Sequence, residues 1–134
     1  MPELNSEFLF TIRVTVDLLH DVGETPFGTR HIDMLDDGSF EGPKLKGTVL
    51  GGMDQKIFRT DGAMNPNVRL ILKTDDDALI YMYYTGVRYG TAEVMQRIAD
   101  GEEVDPSEYY LRNTPYFETS APQYDWMNRI VSVG

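Results

Sequence analysis

The sequence predicts an all-β protein, an eight-stranded antiparallel up-and-down β-barrel with one short helix. Apolar residues occupy alternate positions over much of the chain, which is typical of half-buried strands. The alternating stretches are bounded by glycine, proline and aspartate, the residues that favour turns. Eight strands with short connections favour a closed barrel because closure leaves no unpaired strand edge. A two-sheet sandwich is the alternative, since periodicity does not separate the two.

The individual elements follow from this alternation and from the turn residues. In residues 8–18 every even position is apolar, which predicts the first strand. Asp37-Gly38 predicts a hairpin turn and Gly51-Gly52 a strand break. Thr91 predicts the N-cap of the single helix, which ends near Asp100-Gly101. The other predicted strands are residues 29–35, 39–50, 54–60, 68–74, 78–85, 109–119 and 126–133.

Composition restricts the classes of function. The chain has 134 residues, which predicts a single domain over residues 1–134. Its 22 acidic and 12 basic residues give a net charge of −10, which disfavours binding to nucleic acid or to anionic membranes. The absence of cysteine excludes disulfides, thiolate catalysis and iron–sulfur clusters. Neither a signal peptide nor a membrane helix is predicted, so we expect a cytoplasmic protein that acts on small molecules or on other proteins.

Several common catalytic and metal-binding arrangements are missing from the sequence. His20 and His31 are the only histidines and stand apart, so they form no Ser-His-Asp arrangement and no zinc-binding pair. Asp75-Asp76-Asp77 lacks the spacing of an EF-hand and predicts a solvated turn. We therefore expect neither a metal nor a cofactor.

The predicted strand 109–119 has one polar and one apolar side. If the apolar side packs outwards, the polar side lines the barrel interior; otherwise the polar side faces solvent. The polar positions are Tyr110, Arg112, Thr114, Tyr116 and Glu118, and the apolar ones include Tyr109, Leu111 and Phe117.

Other polar residues lie in or beside predicted strands, where a polar side chain needs an explanation. Arg69 is central in its strand, where a guanidinium is either solvated or grips a carboxylate or enolate oxygen. Asp54 follows Gly51-Gly52-Met53 and is either a buried general base or a turn cap. Trp126 and Asn128 are either binding residues or parts of barrel closure, with Trp126 plugging one end and Asn128 satisfying backbone groups.

Several segments of the chain are together similar to one known family. Gly28-Thr29-Arg30 and Gly51-Gly52-Met53-Asp54 belong to this pattern, and the most specific part is residues 109–119 followed by residues 124–129. From about residue 8 to residue 134 the chain resembles the bacterial and fungal domain-of-unknown-function 3237 family, also called uncharacterised protein family 0311. The chain departs from the pattern at Asn67, where the family often has Asp, and at Asp77, where it often has Gly. The resemblance implies a small up-and-down β-barrel and says little about chemistry.

The resemblance and the alternation select the same positions, and together they predict a pocket in the barrel interior. Arg69, Arg112 and Glu118 are expected to point into this one cavity. The predicted chemistry is proton transfer by Asp54 or Glu118, with Arg69 or Arg112 stabilising the developing negative charge. This predicts a cofactor-independent lyase, isomerase or cyclase that acts on a small aromatic or carbonyl-bearing molecule. The predicted substrate-binding residues are Asn67, Tyr84, Tyr110, Trp126 and Asn128.

Two other functions remain open from the sequence. A barrel of this size also suits a non-catalytic ligand-binding or carrier protein. The acidic surface suits an interaction module that docks a basic partner. We also expect a homodimer, because small barrels commonly dimerise.

Overall fold

The computed structural model describes residues 2–134 and confirms the all-β prediction. These residues form antiparallel strands with one short α-helix. Within them, no helix is both long and apolar enough to cross a membrane. The strands are β1 (Thr11–Thr25), β2 (Gly28–Glu41), β3 (Lys46–Phe58), β4 (Met64–Asn65), β5 (Asn67–Thr74), β6 (Leu79–Tyr89), β7 (Tyr110–Asn113) and β8 (Tyr116–Glu118). The helix α1 is Ala92–Ala99, and 3₁₀ turns occupy Pro106–Glu108 and Pro122–Arg129.

The strands form one curled antiparallel sheet. β1, β2 and β3 pair in sequence, β3 pairs with β4 and β5, and β6 pairs with β4, β5, β7 and β8. Among the described residues β1 pairs on one side only, with β2. Just before β1, the Phe10 ring packs 5.4 Å from the Phe40 ring and 5.8 Å from the Phe117 ring, so the two ends of the sheet meet through side chains.

Two of the predicted strand breaks are wrong, because their glycines lie inside strands. Gly38 is in β2, and Gly52 is in β3. A Cβ on Gly52 would lie 1.8 Å from the Arg69 carbonyl oxygen, and one on Gly38 would lie 2.0 Å from the Arg13 carbonyl oxygen. These glycines therefore allow close approach of neighbouring strands and do not turn the chain. The turn between β2 and β3 lies at residues 42–45, where the Gly42 N–H donates to the Leu45 carbonyl.

We expect Gly52→Ala to lower the free energy of unfolding by about 1–3 kcal/mol, the usual range for overpacking. The added methyl group would meet the Arg69 carbonyl in the neighbouring strand, and a backbone atom has little freedom to move aside. Urea unfolding of the variant and the parent measures the difference. Equal midpoints would show that β3 and β5 do not approach as closely as described.

The ends of the chain also differ from the predicted strands. The first strand begins at Thr11 rather than at residue 8 and continues to Thr25. The predicted strand 126–133 is wrong: Pro122–Arg129 forms 3₁₀ turns, which place Met127 in the core at 1% exposure. The predicted helix cap is confirmed, since the Thr91 hydroxyl accepts from the Val94 N–H. Asp77, where the family often has Gly, adopts the left-handed conformation with φ +68°.

The hydrophobic core fills one end of the barrel interior. It is built from inward positions of β2, β3, β5, β6 and β8, together with Leu45 from the turn before β3 and Met127 from the C-terminal 3₁₀ turns. Trp126 is half-buried and packs against this core. The buried members are Phe40, Leu45, Val49, Val68, Leu70, Leu72, Ile80, Met82, Phe117 and Met127.

Candidate functional site

The opposite end of the interior is polar. Buried Val68 of β5 pairs with Asp54 of β3 and with Tyr84 of β6, and Asp54 in turn pairs with Asp33 of β2. Residues paired across antiparallel strands project from the same face of the sheet, so this row points inwards with Val68. Asp33 is 2% exposed, which is rare for a carboxylate and calls for a partner.

Two further rows extend the polar end away from the core. In the next row His31 of β2 pairs with Lys56 of β3. In the row beyond it, buried Met64 pairs with Phe58 and with Arg88 of β6. We call six of these inward residues the interior polar cluster: His31, Asp33, Asp54, Lys56, Tyr84 and Arg88.

Lys56 is the partner of the buried Asp33. The Lys56 Nζ lies 2.6 Å from Asp33 Oδ2, and the two side chains are 15% and 3% exposed. The His31 Nε2 lies 3.4 Å from Oδ1 of Asp21, and its ring packs edge-on to the Phe58 ring at 4.9 Å. One ion pair and one aromatic contact therefore fix three side chains of the cluster.

Asp54 is the titratable group whose surroundings suit proton transfer. Burial raises the pKa of Asp54 above the ordinary 3.8, and this outweighs the hydrogen bond from the Asn67 N–H and the charges of Lys56 and Arg88. The Asn67 N–H donates to Asp54 Oδ1 at 3.1 Å and orients the carboxylate. A carboxylate whose pKa is raised towards the working pH is a more effective acid and base.

Tyr84 and Arg88 complete the electrostatics around Asp54. Burial and the Asp54 charge together raise the pKa of Tyr84 to about 12, so the phenol stays protonated and acts as a hydrogen-bond donor. Burial lowers the pKa of Arg88 from its ordinary 12.5, an effect that its attraction to nearby Tyr109, Asp54 and Asp33 opposes. Arg88 remains a cation at neutral pH. The cluster therefore offers one carboxylate for protons and two kinds of donor for a developing oxyanion.

Buried polar atoms without partners concentrate at this end of the barrel. Within residues 2–134, three atoms of the cluster are buried and form no hydrogen bond: His31 Nδ1, Asp33 Oδ1 and Arg88 Nε. Asn113 Oδ1, in β7 beside β6, is a fourth. An orphaned buried polar atom costs about 1–3 kcal/mol, so a folded protein that keeps several in one place has a reason to do so.

The polar end opens to solvent along β1. Leu19 pairs with Asp33 and so points inwards, yet it is 54% exposed. Asp21 pairs with His31 in the next row, and its side chain is 62% exposed. Among the described residues β1 has no strand on its far side, so the cluster lies nearest to solvent along this edge.

The prediction that Arg69, Arg112 and Glu118 share one cavity is wrong. Arg112 and Glu118 are exposed on β7 and β8. The residues directly before them, Leu111 and Phe117, pair with inward residues of β6. Residues 2–134 contain one eight-residue α-helix, which is too short to form an outer packing shell over the sheet, so the apolar side of residues 109–119 supplies the interior. The polar side consequently faces out.

The outward polar residues pack on one another instead. The Arg69 guanidinium lies 5.3 Å from the Tyr83 ring and donates to the Asn67 side-chain oxygen. The Arg112 guanidinium lies 5.1 Å from the ring of Tyr110, which is 53% exposed, and donates to the Leu111 carbonyl. None of these residues reaches the interior polar cluster, except that the backbone of Asn67 binds Asp54.

Trp126 and Asn128 have the architectural roles given as alternatives. Trp126 packs against the core, and the Lys44 Nζ lies 5.2 Å from its ring. Asn128 is exposed; its side chain accepts from the Thr119 N–H and donates to the carbonyls of Thr119 and Asp125. Both lie at the apolar end, on the other side of the core from Asp54.

Of the predicted site residues, Asp54 and Tyr84 lie in the cluster. His31, Asp33, Lys56 and Arg88 were missed. Their spacing in the sequence was the available signal, because residues two or four apart in a strand project from the same face. His31 and Asp33 share one face of β2, Asp54 and Lys56 one face of β3, and Tyr84 and Arg88 one face of β6. Recognising that these faces form one interior cluster requires knowledge of the strand pairing. In the sequence of a single strand, a polar face looks the same whether it faces solvent or a barrel interior. Among the described residues no three His, Asp or Glu side chains are grouped to hold a metal ion.

The raised pKa of Asp54 predicts a pH-dependent gain in stability for Asp54→Asn. The folded protein holds the Asp54 proton more tightly than the unfolded chain does. That contribution to stability is complete below the ordinary value of 3.8 and is lost as pH rises through the folded value. The stability of the variant relative to the parent should therefore increase from pH 4 to pH 7, as measured by urea unfolding. A relative loss over this range would contradict the burial of Asp54.

Comparison with known sequences identifies the family. The sequence matches DUF3237, a family described as protein of unknown function, over residues 4–134. The chain belongs to this family. The resemblance noted in the sequence is thereby confirmed. A UPF0311 protein of Clostridium acetobutylicum is 38% identical over 127 residues, covering 93% of this chain and 80% of the relative. One from Rhodopseudomonas palustris is 33% identical over 134 residues, covering 99% and 88%.

Solved structures of similar proteins share the fold. A conserved protein of unknown function from Rhodopseudomonas palustris superimposes with a TM-score of 0.95 at 32% identity, over 100% of this chain and 89% of the other. A β-barrel-like protein from Acinetobacter baumannii gives a TM-score of 0.74 at 35% identity, over 98% and 89%. More distantly, a hydroalkoxylation enzyme of Penicillium herquei is 22% identical over 130 residues, covering 97% of this chain and 72% of the enzyme.

Proposed function

We propose that this protein is a cofactor-independent lyase, isomerase or cyclase that moves a proton at Asp54. The observation that carries the proposal is that a buried carboxylate with a raised pKa, Asp54, lies at the same end of the interior as Arg88, whose buried Nε has no partner within residues 2–134. A base together with a free cationic donor is the minimum needed to form and stabilise an enolate or alkoxide.

The proposed reaction begins when ionised Asp54 removes a proton from a substrate carbon or hydroxyl. The electron pair left behind moves onto a substrate oxygen, which the Arg88 guanidinium and the Tyr84 hydroxyl stabilise by hydrogen bonds. Protonated Asp54 then gives the proton to a different atom: another carbon or oxygen in an isomerisation, the oxygen of the leaving group as its bond to carbon breaks in an elimination, or the second alkene carbon as the substrate oxygen bonds to the first in a cyclisation. No electron is gained or lost, and the enzyme regains its starting charge, so no co-reactant is required.

The distant relative in Penicillium herquei supports this class of chemistry. Hydroalkoxylation adds an alcohol O–H across a carbon–carbon double bond, so a proton leaves oxygen and a proton is added to carbon. The net reaction needs acid–base groups and no redox cofactor. In this chain we propose the same class of proton transfer, carried out by the residues of the interior polar cluster.

The test is proton exchange catalysed by the wild-type protein. Acetophenone and its hydroxylated derivatives, incubated in D₂O, exchange methyl protons next to the carbonyl when a base forms the enolate, and proton NMR follows the loss of signal. We expect exchange above the buffer rate, increasing with pH through an inflection above 3.8. If ligands that bind show no exchange above buffer, the protein is a non-catalytic binding protein.

A further inference from the structure

The orphaned atoms of the interior polar cluster specify the hydrogen bonds that a ligand must supply. Ionised Asp33 is an acceptor only: its Oδ2 binds Lys56, and its buried Oδ1 has no donor within residues 2–134. Arg88 is a donor only, and its buried Nε–H has no acceptor there. A ligand that satisfies both has a hydroxyl or N–H group at one point and a carbonyl-type oxygen at another.

The formal charges of the cluster specify the charge of the ligand. Asp33 and Asp54 contribute two negative charges, while Lys56 and Arg88 contribute two positive charges. An ionised ligand would leave one uncompensated charge in a largely buried site, which costs several kcal/mol. An uncharged ligand keeps the balance, and so does transfer of its proton to Asp54.

The aromatic side chains at this end of the interior favour an aromatic ligand. The Phe58 and His31 rings pack edge-on at 4.9 Å, and Tyr84 faces inwards next to the core. Aromatic rings pair well with one another in offset or edge-on geometry, which adds about 0.5–1.5 kcal/mol beyond burial.

We propose that the interior polar cluster binds an uncharged aryl ligand that has both a hydroxyl and a carbonyl group. The hydroxyl donates to Asp33 Oδ1, and the carbonyl oxygen accepts from the Arg88 Nε–H. This inference rests on the proposed function for the site and adds the substrate class to it. Asp33 is then the residue that selects and positions the hydroxyl.

Calorimetric titration of the whole chain with matched probes tests this substrate class. The 3′- and 4′-hydroxyacetophenones have both groups, acetophenone lacks the hydroxyl, and 4-hydroxybenzoate has a negative charge. We expect one hydroxyacetophenone to bind at least about tenfold more tightly than acetophenone, since one satisfied buried acceptor contributes about 1.4 kcal/mol. We expect 4-hydroxybenzoate to bind more weakly still.

Two variants assign the two groups of the ligand. In Asp33→Asn the amide oxygen turns to Lys56 and a neutral NH₂ faces the ligand hydroxyl. The hydroxyl then accepts a weaker hydrogen bond than the charge-assisted one it donates to the carboxylate, so the preference for hydroxyacetophenone over acetophenone should fall. In Arg88→Met the preference of hydroxyacetophenone over 4-ethylphenol, which lacks the carbonyl, should disappear. Asp37→Asn, which changes an exposed carboxylate on β2, should alter neither preference.

The substrate class is overturned if 4-hydroxybenzoate binds as tightly as the hydroxyacetophenones, if acetophenone binds equally well, or if no hydroxyacetophenone binds. Its failure is distinguishable from that of the proposed function, because binding is measured without turnover. Selective binding without proton exchange would retain the ligand class and overturn the enzyme. Proton exchange on ligands that bind without these preferences would retain the enzyme and overturn the ligand class.

Discussion

Asp54→Asn is expected to lower the rate of proton exchange at saturating ligand by about 10²–10⁴-fold, the usual cost of losing a general base. Asparagine preserves the shape of the side chain and still accepts from the Asn67 N–H, but it does not take up a proton. Ligand affinity should change much less than the rate, because the cluster assigns ligand binding to Asp33 and Arg88. Proton NMR in D₂O gives the rate, and calorimetry gives the affinity.

The matched control for this variant is Asp37→Asn. It removes the same charge from an exposed position on β2, so its exchange rate should equal that of the parent. The pH profile provides a second readout, since the inflection that belongs to Asp54 should vanish in Asp54→Asn. If Asp54→Asn keeps the parental rate, Asp54 is not the base and the acid–base proposal for this site fails.

Lys56→Met is expected to lower the free energy of unfolding by about 3–5 kcal/mol, because it leaves the Asp33 carboxylate buried without its partner. The Lys56 Nζ lies 2.6 Å from Asp33 Oδ2, and both side chains are largely shielded from water. Methionine preserves most of the volume of the lysine stem, so the loss reports the charge rather than a cavity. Urea unfolding at neutral pH measures it.

A surface ion pair and a double variant complete this experiment. Lys73→Met removes the pair with Asp77, whose side chains are 45% and 84% exposed, and should cost less than about 1 kcal/mol. Adding Asp33→Asn to Lys56→Met should restore much of the lost stability, because no unpaired charge then remains. Equal losses for Lys56→Met and Lys73→Met would contradict the burial of the Asp33–Lys56 pair.

The fold was largely predictable because its main signals are local. Two-residue alternation identified most of the strands, and the Thr91 cap identified the helix. The glycines of Asp37-Gly38 and Gly51-Gly52 were misinterpreted, since a glycine that opens a turn and one that admits a neighbouring strand look alike in sequence. Only the strand pairing, which sets Gly52 opposite Leu70 and close to the Arg69 carbonyl, distinguishes them.

The candidate site was predictable only in part, for a physical reason. Asp54 was recognisable within its own strand and Tyr84 was among the predicted binding residues, but assigning the faces of residues 109–119 required knowledge of what covers the sheet. Among residues 2–134 no outer layer covers the sheet, so Leu111 and Phe117 face in while Arg112 and Glu118 face out. Asp33 and Arg88 come from strands that are not neighbours, and only the curled sheet brings them to one end.

The most direct test of the central claim is a crystal structure of the protein with a bound hydroxyacetophenone. We expect the ligand at the polar end of the barrel, with its hydroxyl within hydrogen-bond distance of Asp33 Oδ1 and its carbonyl oxygen within hydrogen-bond distance of Arg88 Nε. A ligand bound only on the outer face, against Arg69 or Arg112, would contradict the assignment of the site to the interior polar cluster.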